Sequence, residues 1–315
     1  MTESSWGRPR AAGYASQAGH DGGTESPSGT SGGPDAGSGP RPPAKRGGRD
    51  LRAAVGVGLG LGAVVLASLF AYKPAFLAVI ALAVVVGLWE LSSRLAERKL
   101  IRLPLPPLAV GGAAMVVLAY LRGADGVWLA MALTVVAALL WRMAGPPEDY
   151  LRDVTASVFA AFYVPFLASF VALMLAADDG AQRVLTFLIL TVISDTGAYA
   201  VGYRLGRKKL APRISPGKTR EGLLGGVLFA MVGGALCTEF LIDGGSWWQG
   251  LVLGLAVAVS ATLGDLGESM IKRDLGIKDM GRLLPGHGGI MDRLDSLLPT
   301  APVVWLLLLA FVGSG

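Results

Sequence analysis

Residues 247–273 read WWQGLVLGLAVAVSATLGDLGESMIKR. Residues 247–264 carry no charge and come close to the roughly 20 residues that carry a helix across the hydrocarbon core of a bilayer. The run then changes character abruptly, with Asp265, Glu268, Ser269, Lys272 and Arg273 in quick succession. If the helix continues past Asp265, Ser269 and Lys272 follow at i+4 and i+7 on its face, with Glu268 beside them at i+3. A membrane helix that ends in a patterned polar segment sets the terms for the whole chain.

Similar apolar runs recur on both sides. Helices are predicted at 53–72, 75–91, 105–121, 127–143, 154–176, 184–202, 222–242, 247–264 and 294–312, an all-α integral membrane protein of about nine spans. Pro104, Pro106 and Pro107 blur the start of the third. Composition agrees: of 315 residues, 52% are hydrophobic and only 16% charged, against about 25% charged in a soluble domain. Mean hydropathy is +0.54. The lone Cys237 lies in an apolar run and excludes a disulfide framework.

Residues 1–49 are dominated by Gly, Ser, Pro and Ala. Such a segment buries too little apolar surface to offset its ordering entropy, so a disordered tail is expected, without the apolar stretch of a signal peptide. Residues 50–183 then form an N-terminal transmembrane region, and 184–315 a C-terminal catalytic one.

Lys and Arg alternate between connections. The tail ends in Arg41, Lys45, Arg46, Arg49 and Arg52, and Lys73 alone follows the first run. Arg94, Arg98, Lys99 and Arg102 follow the second, Arg122 alone the third, and Arg142 and Arg152 the fourth. Arg183 is single, whereas the next connection holds Arg204, Arg207, Lys208, Lys209, Arg213, Lys218 and Arg220. Because cytoplasmic loops are enriched in these residues, the N-terminus is expected in the cytoplasm and the C-terminus outside.

Polar residues concentrate in two basic connections and the helix ends beside them. Asp195 falls inside the sixth run, about seven residues from its end, or roughly 10 Å below the interface. A carboxylate at that depth costs several kcal/mol unless it meets a cation or a water-filled cavity. Asp265 closes the eighth run, while Asp292 and Asp295 open the ninth at i, i+3. Carboxylates gathered at one depth would repel one another, and hard oxygen donors of this kind suit Mg²⁺. Lys272, Arg273 and Lys278 match anionic phosphates delivered with the metal. The stretch Pro285-Gly286-His287-Gly288-Gly289 lets backbone amides face an anion, and His287 is suited either to a phosphate or base or to an ordinary polar contact. The stretch Ser215-Pro216-Gly217-Lys218-Thr219 is not a Walker loop, since Pro212 replaces its first glycine and no strand is expected before it.

From Ser269 to Asp295 the chain reads S-x-x-K-R-x4-K-D-x-G-x2-L-P-x-H-G-G-x-x-D-R-x-D. This resembles the signature of phosphatidate cytidylyltransferases, the CDP-diacylglycerol synthases. Ser194-Asp195-Thr196-Gly197-Ala198-Tyr199, Ser215-Pro216, Lys218-Thr219 and Glu221-Gly222 extend the resemblance over roughly the C-terminal 120 residues. Arg207-Lys208-Lys209 departs from it, lacking a His among the basic residues, as does Gly217, where relatives often carry Lys.

The resemblance implies that the phosphate of phosphatidic acid attacks the α-phosphorus of CTP, giving CDP-diacylglycerol and pyrophosphate in phospholipid biosynthesis. It implies metal at Asp195, Asp265, Asp292 and Asp295, with Mg²⁺ as cofactor and a second, monovalent or divalent, cation left open. Asp265, Lys272, Arg273 and Asp292 are the expected catalytic set. Ser215, Lys218, Thr219, Ser269, Lys278, His287, Gly288, Gly289 and Arg293 are expected to hold substrate. A homodimer in the inner cell membrane with its site facing the cytoplasm is implied too, and nucleic acid is not an expected partner.

Two other readings compete. A transporter would use intramembrane carboxylates but would show paired polar breaks in two halves, and the first five runs hold almost none. A CDP-alcohol phosphotransferase would need a D-x2-D-G-x2-A-R helix, which is absent.

Overall fold

The computed structural model describes residues 51–281, 283 and 288–313. The expected tail over 1–49, and His287 with Pro285 and Gly286, lie outside the described residues.

Helix α1 (Leu51–Ala71) is followed by α2 (Lys73–Lys99) and α3 (Leu105–Met143). Pro74 sits in the first turn of α2, and Pro104 caps α3 with Pro106 and Pro107 inside its first turn. Prolines fit there because first-turn N–H groups lack helical partners anyway, so this cluster opens the helix rather than blurring it. α2 ends where Leu100 turns left-handed (φ 57°) and the amide of Ile101 reaches back to the Leu95 carbonyl.

At 1.5 Å per residue, a straight α3 would reach nearly twice the thickness of the hydrocarbon core. It is not straight. Gly123 adopts φ 66° and ψ −152°, a conformation open to glycine, and bends the helix into two arms. The bend falls at the connection expected between the third and fourth runs.

α4 (Tyr150–Ala161) continues through a single π-helical segment, Phe162–Phe166, into α5 (Leu167–Ala176). Pro165 lies within that wider turn, where its missing N–H removes one bond of the α-helical ladder. Then come α6 (Gly180–Leu205), a short hairpin of β1 (Lys209–Ala211) with β2 (Ser215–Thr219), α7 (Arg220–Leu241) and α8 (Trp247–Asp274). The chain ends in α9 (Met291–Leu294) and α10 (Leu297–Val312).

Among the described residues, seven helical stretches are long and apolar enough to cross a membrane, and part of α1 adds a shorter apolar helix. This is a multi-pass membrane protein. Large side chains such as Leu228, Phe240, Leu263 and Trp128 point outward, as lipid allows, while Leu88, Leu91, Met115, Phe187 and Leu253 fill the interior. Association in lipid depends on close packing rather than on expelling water. Gly234, Gly250 and Gly254 supply it between α7 and α8: a Cβ at Gly254 would collide with the backbone of Ala230.

Two differences from the sequence reading position the site. The all-α expectation has an exception in the hairpin, whose strands pair antiparallel with Lys209 opposite Thr219 and Ala211 opposite Ser215. Ser215–Thr219, read as a loop, is itself a strand that runs directly into α7. In addition, α8 continues ten residues beyond the predicted end at 264, so the patterned segment after Asp265 is helical.

Candidate active site

The continued helix puts Asp265, Glu268, Ser269 and Lys272 on neighbouring turns of α8. Lys272 Nζ lies 2.7 Å from Glu268 Oε2 and 3.1 Å from Asp292 Oδ1, tying α8 to the start of α9. Ser269 Oγ donates to Asp265 Oδ1 at 3.3 Å. β2 brings Lys218 across, with Nζ 2.6 Å from Asp265 Oδ2. The next residue, Thr219, caps α7 by accepting the Gly222 amide at 3.1 Å. One residue thus aims a cation at the site while its neighbour starts a helix.

Asp195, from α6, accepts from Ser296 Oγ at 3.1 Å. α6 runs to Leu205, so Asp195 lies ten residues from that end rather than the seven expected. Asp195, Asp265, Asp292, Asp295, Lys218 and Arg293 together line one cavity of about 650 Å³, with Ser215, Thr219, Tyr199 and Tyr203 at its sides. Side chains from α6, β2, α8 and the α9–α10 junction therefore meet.

Other expected residues lie elsewhere. Lys272 does not line the cavity and acts on Asp292 from behind. Arg273 Nε donates to the Ile214 carbonyl at 3.2 Å, so it holds the turn of the hairpin. Lys278 is exposed and off the lining, as Ser269, Gly288 and Gly289 are off it.

The acidic residues differ in what they have left to offer. Asp292 accepts from the amides of Met280 (3.0 Å), Gly281 (3.3 Å) and Gly289 (2.8 Å) in addition to Lys272. Its lone pairs are committed. Asp195 accepts on one oxygen only, Asp295 accepts the Ser296 amide on one of its two, and Asp265 already takes Ser269 on one oxygen and Lys218 on the other. All three line the cavity, and such hard donors are of the kind Mg²⁺ takes. As arranged, no three Asp, Glu, His or Cys groups among the described residues are close enough to hold an ion. The Lys218 ammonium instead sits on Asp265, where a cation would. The donor set fits Mg²⁺ in kind, and binding would require Lys218 to yield its place.

Glu90 was not singled out from the sequence. It lies in α2, is 2% exposed, and accepts the Met291 amide at 2.9 Å, one residue before Asp292. A weaker signal was present: Glu90 is the single charged residue of the run predicted at 75–91, one residue before its end. Tyr163 lies outside the expected set as well, and its buried hydroxyl has no partner among the described residues.

Comparison with known proteins gives the family. A model of the cytidylyltransferase family matches residues 52–311. The chain is 43% identical over 279 residues to the phosphatidate cytidylyltransferase of Mycobacterium leprae (strain TN), covering 84% of this chain and 89% of that protein. It is 41% identical over 276 residues to the phosphatidate cytidylyltransferase of Mycobacterium tuberculosis (strain ATCC 25618 / H37Rv), covering 84% of each. Against the phosphatidate cytidylyltransferase of Brucella suis biovar 1 (strain 1330), identity is 42% over 146 residues, 46% of this chain and 54% of the relative. With its apolar helices and its polar cavity both inside the matched region, this chain belongs to the cytidylyltransferase family.

Proposed function

We infer that this chain transfers a cytidylyl group from CTP to phosphatidic acid, forming CDP-diacylglycerol and releasing pyrophosphate. The observation that carries the reading is family membership over residues 52–311, joined to a cavity where cationic and acidic side chains meet at helix ends.

A phosphate oxygen of the lipid attacks the α-phosphorus, and the bond from that phosphorus to the oxygen bridging it to the β-phosphorus breaks. Pyrophosphate leaves with the electron pair. A phosphomonoester has its second pKa near 6, so the nucleophile is largely ionised at neutral pH and no protein base is needed. The protein's work is to hold two polyanions in line and to offset the charge that builds on the leaving group. Lys218 and Arg293, on the cavity wall, suit phosphates, while Lys272 holds Asp292 and through it the start of α9. Asp195, Asp265 and Asp295 would hold Mg²⁺, which when bound supplies positive charge at the phosphates. Asp292, with its oxygens committed, organises the backbone around the site.

The Lys and Arg pattern supports a cytoplasmic N-terminus and a site open to cytosolic CTP. Counting the two arms of α3 and α1 as separate crossings gives nine spans in the inner cell membrane. The family resemblance supports a homodimer.

The test is purified protein in detergent with phosphatidic acid, Mg²⁺ and labelled CTP. Expected are lipid-linked cytidine and pyrophosphate in equal amounts, and loss of both on chelation, restored by adding Mg²⁺ back. Absence of lipid-linked cytidine, or equal use of another nucleotide, would overturn the assignment.

A further inference from the structure

We propose that Glu90, with Arg94 beside it, is a positioning residue for the active site, clamping both ends of the segment that leads from α8 into α9. The proposal rests on the function inferred above for its effect on turnover, and on geometry alone for the clamp itself.

Glu90 lies nine residues before the end of α2, in a region that contributes nothing to the cavity wall. Its Oε2 accepts the Met291 amide at 2.9 Å. Its Oε1 is buried with no hydrogen-bond partner among the described residues and lodges against Gly281. A Cβ on Gly289 would stand 2.7 Å from Glu90 Cδ, and one on Gly281 would meet both Glu90 Oε1 and, at 2.8 Å, the Cα of Gly289. Both glycines are therefore required by the carboxylate that packs on them. One turn further along α2, Arg94 Nε donates to the Met280 carbonyl at 2.7 Å.

A buried carboxylate inside a spanning helix is costly, and it is retained where it satisfies donors that would otherwise go unpaired. Glu90 satisfies Met291 from one side. Asp292 gathers Met280, Gly281 and Gly289 from the other. The two carboxylates hold the same two ends of that segment between them, so a shift at Glu90 is passed to Asp292, Lys272 and Arg293. Misplacement of about 1 Å costs roughly 100-fold in a reaction that depends on alignment.

The experiment compares the full-length protein with Glu90→Ala, Glu90→Gln, Gly289→Ala and the pair Gly289→Ala with Glu90→Asp. Glu90→Ala should lower kcat roughly 100-fold while KM for CTP and lipid stays within about threefold. Glu90→Gln keeps an acceptor for Met291 and should recover most of the loss. Gly289→Ala should be impaired, and the shorter acid in the paired variant should restore part of its activity by making room for the new methyl. A residue needed only for folding would lower yield without this exchange of sizes. Hydrogen exchange provides a readout independent of catalysis: amides of 280–281 and 291 should exchange faster in Glu90→Ala. Unchanged exchange there overturns the clamp, and unchanged kcat in an active enzyme overturns its role in positioning. If the wild-type protein makes no CDP-lipid, the functional reading falls, and exchange alone decides the clamp.

Discussion

Two ion pairs at helix ends use similar charges to opposite purposes. Arg142 and Asp153 join α3 to α4: Nε lies 3.0 Å from Oδ2, and the two side chains are 11% and 2% exposed. The rest of that guanidinium donates to the carbonyls of Pro146 (2.6 Å) and Glu148 (2.7 Å), and Asp153 also accepts the Arg102 amide at 3.2 Å. Each nitrogen of that guanidinium is already engaged by the protein. Lys218 and Asp265 are closer, at 2.6 Å, but are 25% and 34% exposed on a cavity wall. Apart from Ser269 on Asp265, their remaining valences face open space. A closed pair locks the fold, and an open pair can be exchanged for substrate and metal.

Asp265→Ala should break that comparison most sharply. It removes a proposed metal donor and the partner of Lys218 together, and turnover should fall at least roughly 1000-fold, about 4 kcal/mol. Membrane insertion and thermal unfolding in detergent should be close to wild type, since an exposed pair contributes about 0–1 kcal/mol to stability. Measured turnover within tenfold of wild type would remove Asp265 from the metal site.

Asp153→Ala should behave in the reverse way. It leaves Arg142 buried without its counter-charge, and breaking a buried pair costs about 3–5 kcal/mol. Thermal unfolding of the detergent-solubilised protein should shift down markedly, while turnover per folded molecule changes less than about twofold. A fall in turnover without loss of stability would mean that the α3–α4 junction takes part in catalysis.

Lys218→Ala should be milder than either. Its ammonium is proposed to meet phosphate, so loss should raise KM for CTP by roughly tenfold to thirtyfold, in line with a charge-assisted contact. Lys218→Arg, with a longer and planar head, should recover only part of this.

The same contrast explains what could be read along the chain. The spans and the convergence of Asp195, Asp265 and Asp295 were legible because the relevant costs are local: apolar length, and the price of a carboxylate at depth. Glu90 obeys the same rule but was passed over, because its partner Met291 is 201 residues away and α2 bears no part of the motif. Lone-pair use was also hidden. Asp292 and Asp265 look alike in a motif, yet Asp292 is saturated by three backbone amides that only the folded loop brings together. The hairpin was invisible for a related reason. Residues 215–219, with a proline and a glycine, have weak strand propensity, and their pairing with 209–211 depends on α6 and α7 holding the ends.

Arg273 gives the smallest effect and the finest distinction. Motif and charge mark it as a phosphate ligand, whereas its Nε donates to the Ile214 carbonyl at the turn between β1 and β2. A neutral acceptor on a partly solvated turn is worth about 1 kcal/mol, so Arg273→Ala should reduce kcat/KM by roughly fivefold. The loss should come through mobility of the hairpin that carries Lys218. In the Lys218→Ala background, Arg273→Ala should therefore cost little more, because the cation that the hairpin delivers is already gone. Additive losses in that double-mutant cycle would mean that Arg273 acts on substrate directly, and that the open face of the site extends along α8 to its exposed end.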